Sequence, residues 1–347
     1  MKNRTYVIGE IGQNHNGSED IANKMIQIFS EKPYDETFNK ALKGIDALKF
    51  TKRDLRQELT DSAMQRPYNS PHSFGKTYGE HRAFLELDDD TLFRLYKSVK
   101  AKDLDYVITL TSIGCESIFS KFYPDKLKVA SRDLTNLPLL EMLAQTKLPL
   151  ILSTGMANKQ DLDNALEVIS RHHEDITILH CVSEYPTQYH NVNLNTIPYL
   201  KKNYPQFNIG YSDHTIGIST ALASVAMGAE VIEKHITLDR TMKGTDQAGS
   251  CGPTGFAKML RDIRNFEESL GIEDIFMASD VQGAKTKLAR SIATKRSLSA
   301  GDVVSFEDLH LLSPGDGYSW SQLSLVVGKK LKCDVNKNEI IYDNFFE

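Results

Sequence analysis

His214 and His235 each close a short apolar run, and Lys49 and Lys128 lie within two others. Two neutral imidazoles brought to one place would leave a divalent ion with positions open to water and a substrate oxygen. That suits Lewis-acid chemistry on a carbonyl, with Mn²⁺ the expected ion and Mg²⁺ or Co²⁺ the alternatives. An ammonium group within an apolar run is costly unless it is solvated or paired with an anion. Hydroxyls recur at comparable places, at Ser131, Ser153, Ser183 and Ser212, so these serines with Lys49 and Lys128 are expected to surround a phosphate and a carboxylate. Glu10, directly after another apolar run, is placed to deprotonate or orient a water. Taken singly, each histidine is a hydrogen-bonded structural residue and each lysine a solvated rim residue. The inference of a site rests on their recurrence at the ends of successive runs.

Those residues meet only if the run ends converge, and the run pattern provides for it. Eight short β-branched stretches begin at Thr5, Asp46, Tyr106, Leu127, Leu148, Ile176, Asn208 and Val231. Amphipathic segments separate them, as in KQDLDNALEVISRHH, where Leu162, Leu166 and Ile169 share a helical face behind Asn158 as N-cap. Strand and helix periods in alternation predict an α/β fold, and a count of eight predicts a closed (β/α)8 TIM barrel with its active site at the C-terminal strand ends. The barrel is expected over residues 1–271 and an aperiodic linker over 272–285. From residue 286 to 347, short runs and Gly/Asn turns predict a small β-rich domain, thin enough in its core to lean on a barrel.

A chain of 347 residues exceeds one barrel, which agrees with two domains. The net charge of −5 gives no field for nucleic acid or anionic lipid, so neither is an expected partner and any anionic ligand needs a local basic pocket. Four cysteines without metal-ligand spacing, and no apolar signal or membrane segment, predict a cytoplasmic protein. The long polar segment RPYNSPHSFGKTYGEHR, residues 66–82, is expected to work at the barrel mouth, and a phosphorylated substrate would want its Lys76, His81 or Arg82.

The ordered motifs EIGQNHNG, LKF, TNLPLL, LSTGM, HCVSEYPT, GYSDHTIGI, VIEKHITLDR and KGTDQAGS resemble the sialic acid synthase family, over nearly the whole chain. The last sixty or so residues resemble that family's C-terminal antifreeze-like (SAF, β-clip) domain. The resemblance implies condensation of phosphoenolpyruvate with an N-acylmannosamine or its 6-phosphate, giving a nonulosonic acid or its 9-phosphate and inorganic phosphate. It implies His214 and His235 as metal ligands, and Lys49, Lys128, Ser131, Ser153, Ser183 and Ser212 as phosphoenolpyruvate ligands. Asp133, Tyr185 and Asp246 would meet the sugar and Glu10 would serve the water-addition step. It also implies a domain-swapped homodimer. Thr51, Arg132, Gln247 and Ser313 depart from the family pattern, all on the sugar side or rim. They leave open a synthase for Kdn, legionaminic or pseudaminic acid, or a non-catalytic carbohydrate-binding protein.

Overall fold

A computed structural model describes residues 4–347. Eight parallel strands close into a barrel in sequence order. They are β1 (Tyr6–Gly12), β2 (Ala47–Lys52), β3 (Asp105–Leu110), β4 (Lys126–Val129), β5 (Leu150–Ser153), β6 (Ile176–Cys181), β7 (Asn208–Asp213) and β8 (Val231–His235). Each overlaps one of the eight runs read from the sequence. Closure comes from β1, which pairs with β2 on one side and β8 on the other, setting Glu10 level with Lys49 and with His235.

The interior is layered because side chains alternate along a strand. Ile8, Ala47, Val107, Ile151, Leu179 and Val231 form an apolar plug. Two residues further along the same strands, the inward side chains are Glu10, Lys49, Thr109, Ser153, Cys181 and Glu233, so the plug gives way abruptly to a polar layer. Outward-facing residues such as Leu48, Tyr106, Ile108, Leu127, Leu152, Ile178 and Ile232 pack under the helices as the main core.

The helices start where local chemistry lets them. Ser18 caps Glu19–Phe29, Asp88 caps Asp89–Lys100, and Asn158 makes a reciprocal capping box for Lys159–Ser170, which buries Leu162, Ala165, Leu166 and Ile169 as its pattern predicts. The polar segment 66–82 is only partly a loop. Thr77 and Glu80 form a second capping box, and residues Tyr78–Leu85 are helical. Glu31–Lys43, which reads as an insertion, contains a two-residue hairpin pairing Tyr34–Asp35 with Lys40–Ala41.

Contacts divide the chain into two compact units, Met1–Leu270 and Gly271–Glu347. The second unit pairs β9 (Ser291–Thr294) with β10 (Leu309–Leu312) around Ile292, Leu298, Val304, Leu309, Val326, Leu331, Val335 and Ile341. Within the stretch expected to be an aperiodic linker, a helix begins at Gln282 and runs to Leu288. It buries no side chain, so hydrophobic periodicity could not reveal it. Among the described residues no helix is long and apolar enough to cross a membrane.

One outward-facing charge pair fastens β7 to β8. Lys234 Nζ lies 2.7 Å from Asp213 Oδ2, with both side chains almost wholly buried. Asp213 also accepts from the Thr215 backbone and hydroxyl and from Thr220, while Lys234 donates to the Thr215 carbonyl. Removing one partner strands the other charge in the interior, at a cost of about 3–5 kcal/mol. Lys234→Met is therefore expected to lower unfolding stability by that amount in urea titrations; a loss below about 1 kcal/mol would show that the pair contributes little.

Candidate active site

At the C-terminal end of the barrel the polar layer opens into a cavity of about 410 Å³. Its floor holds four buried ionisable groups. Lys49 Nζ stands 2.8 Å from Glu10 Oε2 and 3.6 Å from Glu233 Oε2, and donates to Thr109 Oγ1 at 3.1 Å. Lys128 Nζ donates to Ser153 Oγ at 2.7 Å and to the Val129 carbonyl at 2.9 Å, and lies 4.0 Å from Glu233 Oε1. Ser212 Oγ donates to the same Glu233 oxygen at 3.0 Å. Glu10 Oε2 and Glu233 Oε2 have no well-aligned donor, so the contacts to Lys49 are electrostatic rather than directed hydrogen bonds.

The two carboxylates are driven apart in acidity. Burial, with the nearby charge of Glu233, pushes Glu10 up to about 7 against the pull of Lys49. Glu233 is subject to the same burial, but Lys128 and Lys49 on either side, then His235 and the Ser212 hydroxyl, hold it down at about 2. Burial lowers the Lys128 ammonium, while Glu10 and Glu233 outweigh burial and raise Lys49. The floor is thus a fixed ionised Glu233 bridging two lysines, beside a Glu10 able to hold or release a proton near neutrality.

On the β7–β8 side the two imidazoles come together with ring centres 5.5 Å apart. The ring of Tyr185 lies 4.1 Å from that of His214 and 5.9 Å from that of His235. His214 Nδ1 is 2.9 Å from the Val182 carbonyl, which fixes that nitrogen as an N–H donor to the backbone. His235 Nδ1 is buried without a partner, and burial keeps the imidazole neutral. The two imidazoles are the residues that would hold a divalent ion there. Among the described residues no cluster of three or more His, Cys, Asp or Glu that could hold an ion is present, although Cys181 Sγ lies 3.8 Å from His214 Nδ1.

Ser131, Ser153, Ser183 and Ser212 line the same cavity. The chain at Gly155 passes close to them and donates its N–H to Ser131 Oγ at 3.1 Å. A Cβ at Gly155 would come within 2.5 Å of Ser183 Oγ and 2.9 Å of Ser131 Oγ, so any side chain there would displace the hydroxyls.

The cavity is therefore lined by Glu10, Lys49, Lys128, Ser131, Ser153, Ser183, Ser212, His214 and His235, with Tyr185, Asp246 and Arg82 nearer its mouth. Three residues expected at the sugar are elsewhere. Asp133 accepts from Arg132 Nε at 3.3 Å and does not line the cavity. The Lys76 side chain is exposed outside it, its backbone N–H held by Glu80. His81 is fully buried among Tyr68, Phe74 and Tyr78, with Nδ1 accepting from the Phe74 N–H, which is a packing role. Gln247 is also structural, joining Thr237 to the Asn14 carbonyl. Two charged lining residues have no place among the sequence expectations, Glu233 and Arg53. Glu233 was signalled by alternation, since it lies two residues from both Val231 and His235 and so faces inward with them. Arg53 follows β2 in a loop and carries no periodic signal.

Residues 39–274 match the NeuB family model and residues 289–347 match the SAF domain. The chain belongs to the NeuB family. It is 32% identical to the N-acetylneuraminate-9-phosphate synthase of Homo sapiens, over 99% of this chain and 92% of that one. It is likewise 32% identical to the N,N'-diacetyllegionaminic acid synthase of Legionella pneumophila, over 95% of this chain and 91% of the relative. The crystal structure of the N-acetylneuraminic acid synthetase of Leptospira borgpetersenii superposes with a TM-score of 0.66 at 29% identity, over 81% of this chain and 90% of that one. In this NeuB-family chain the barrel carries the polar cavity and the SAF unit follows it in sequence.

One acid behind the cavity wall gives a pH-dependent test. Burial pushes Glu86 up to about 7, against the opposing charge and backbone N–H of Arg53. Between its ordinary value and 7 the unfolded chain has released this proton while the folded chain retains it, so folding loses stability as pH rises through that window. Glu86→Gln removes the loss. Relative to wild type, the variant is expected to gain about 1–3 kcal/mol between pH 4 and pH 8 in urea unfolding; parallel pH profiles would show that Glu86 ionises alike in the folded and unfolded chains.

Proposed function

We propose that the chain is a phosphoenolpyruvate-dependent nonulosonic acid synthase, condensing phosphoenolpyruvate with the open-chain aldehyde of an N-acylmannosamine or its 6-phosphate. The observation that carries this reading is a single cavity lined by two buried lysines, four serines and two imidazoles, one of which has a buried ring nitrogen without a partner. The lysines and serines suit a ligand bearing both phosphate and carboxylate, and the imidazoles suit an ion that binds an aldehyde oxygen. The family relatives named as sialic, legionaminic and pseudaminic acid synthases support the reaction class.

On this reading Lys49 and Lys128, fixed by Glu233, orient phosphoenolpyruvate with Ser131, Ser153, Ser183 and Ser212. The C2–C3 π electrons form a bond from C3 to the aldehyde carbon, whose oxygen gains a proton. Water then adds at C2, losing a proton to Glu10, whose raised affinity near neutrality suits it to accept one. The tetrahedral centre collapses with cleavage of the C2–O bond, releasing inorganic phosphate and leaving the 2-keto acid. Tyr185 and Asp246 sit where the sugar chain would extend. A divalent ion held by His214 and His235, Mn²⁺ first among candidates, would supply Lewis acidity to the carbonyl. The protein's part is positioning and electrostatics, with no covalent enzyme intermediate.

A second reading, a synthase for another nonulosonic acid, is favoured by the legionaminic acid relatives and differs only in the acceptor. Phosphate release from phosphoenolpyruvate is measured with and without Mn²⁺ against N-acylmannosamines, their 6-phosphates, mannose and diacetamido sugars. Release with an N-acylmannosamine or its phosphate supports the first reading, and release with the others alone supports the second. His235→Ala is expected to lower turnover by at least about 100-fold with an unchanged circular dichroism spectrum. Retention of full metal-stimulated activity would sink the assigned role of the two histidines.

A further inference from the structure

The cavity has a second basic region that the phosphoenolpyruvate site does not require. Arg53, beyond β2, Arg132, beyond β4, and Arg82, on the helix Tyr78–Leu85, line its outer wall. In the ring of eight strands, Arg53 and Arg132 flank β3, which lies across the barrel from β7 and His214. Each follows a floor lysine by four residues, Lys49 and Lys128 respectively, and lies past the C-terminal end of its strand, Arg132 within the single turn Ser131–Asp133.

These guanidiniums are held from behind. Glu58 Oε1 accepts from Arg53 Nη1 and Arg132 Nη1, both at 2.7 Å. Asp133 Oδ2 accepts from Arg132 Nε at 3.3 Å, and Glu86 Oε1 lies 3.5 Å from Arg53 Nε. Arg82 donates from Nη1 to Gln13 Oε1 at 2.6 Å and from Nε to Tyr78 OH at 2.9 Å. None of Glu58, Glu86 and Asp133 lines the cavity, although all three arginines do. Arg53 Nε is buried without an aligned acceptor. Among the described residues, the Nη2 group of all three arginines makes no hydrogen bond. Counting the lining alone, five basic side chains (Lys49, Arg53, Arg82, Lys128, Arg132) face three acidic ones (Glu10, Glu233, Asp246). Three preorganised forks with free donors, at a level above the lysine floor, describe a receptor for a tetrahedral dianion.

We infer that Arg53, Arg82 and Arg132 form a second anion subsite, which binds a phosphomonoester on the acceptor at the end remote from its aldehyde. An aldose phosphorylated at its last carbon carries its two reactive features at opposite ends of the chain. The cavity likewise carries imidazoles over β7–β8 and arginines around β3 at opposite sides. This deepens the proposed function, on which the identity of the aldehyde rests. The anion subsite itself rests on the arginines.

The test compares N-acetylmannosamine with its 6-phosphate, using wild type and the partly exposed variants Arg132→Met, Arg132→Lys and Arg82→Met. Wild type is expected to prefer the phosphorylated acceptor at least tenfold in kcat/KM. Each methionine variant is expected to cut that preference by roughly ten- to a hundredfold. Arg132→Lys should restore only part of it, because a lysine keeps the charge and loses the fork. Equal use of the two acceptors by wild type overturns the subsite. So does a rise in the KM for phosphoenolpyruvate of equal size with both acceptors, which would assign the arginines to that substrate instead. Calorimetric titration with the 6-phosphate separates this inference from the synthase reading. Binding that weakens in Arg132→Met without phosphate release from any acceptor keeps the subsite and removes the synthase; no binding to wild type removes the subsite.

Discussion

Four ionisable side chains lie within the barrel at one level, and the arrangement of the site depends on keeping them there. Lys49, Lys128, Glu10 and Glu233 are each at most 4% exposed. Moving a charge of that kind out of water costs several kcal/mol, and mutual attraction repays it only when geometry is favourable and remaining donors are satisfied. Here the lysines are largely satisfied, by Thr109, Ser153, the Val129 carbonyl and the carboxylates, while one oxygen on each carboxylate is left without a directed partner. A stability-driven interior would not be built this way. The main core under the helices, with the apolar plug, supplies the burial that holds the barrel together, and the polar layer is spared that task.

The same layer explains why the acidities of the two glutamates diverge. Both are fully enclosed, but Glu233 stands between two ammonium groups and receives the Ser212 hydroxyl, whereas Glu10 has one lysine and faces the charge of Glu233. Environment alone therefore gives one carboxylate the task of fixing the lysines and leaves the other able to exchange a proton near neutrality. A ligand bringing negative charge onto Lys49 and Lys128 competes with Glu233 for them. Binding of such a ligand would shift the protonation of Glu10 through the shared lysines.

Much of this could be read from the sequence because a barrel turns one-dimensional periodicity into position. Once eight runs are recognised, the residues closing them must share a rim, and Lys49, Lys128, Ser153, Ser212, His214 and His235 do so. Glu233 obeys the same rule through its inward phase, two residues before the run end at His235. Failures concentrate where position is set by loops. His81 and Lys76 are expected at the sugar from residue type within a polar segment and Asp133 from the family resemblance, yet the first packs against aromatic rings, the second is exposed and the third backs an arginine. A loop has no period to say which of its polar groups turns inward.

Arg132 shows how a departure from a family pattern becomes intelligible only in three dimensions. In the sequence it is an unexpected guanidinium between Ser131 and Asp133, on the rim of a site that already has its basic residues. In the fold it shares the Glu58 carboxylate with Arg53, whose position is set by an unrelated loop after β2, and Thr111 beyond β3 donates to the other Glu58 oxygen at 2.9 Å. One carboxylate thus ties together the ends of β2, β3 and β4. Because that carboxylate stands outside the cavity, it aligns two guanidiniums without cancelling the faces they present to a ligand. The lysine floor and the arginine wall are therefore independent devices. The first is built on strands and is shared in plan with the barrel itself. The second is built on loops, where a chain can change its acceptor without disturbing the chemistry below.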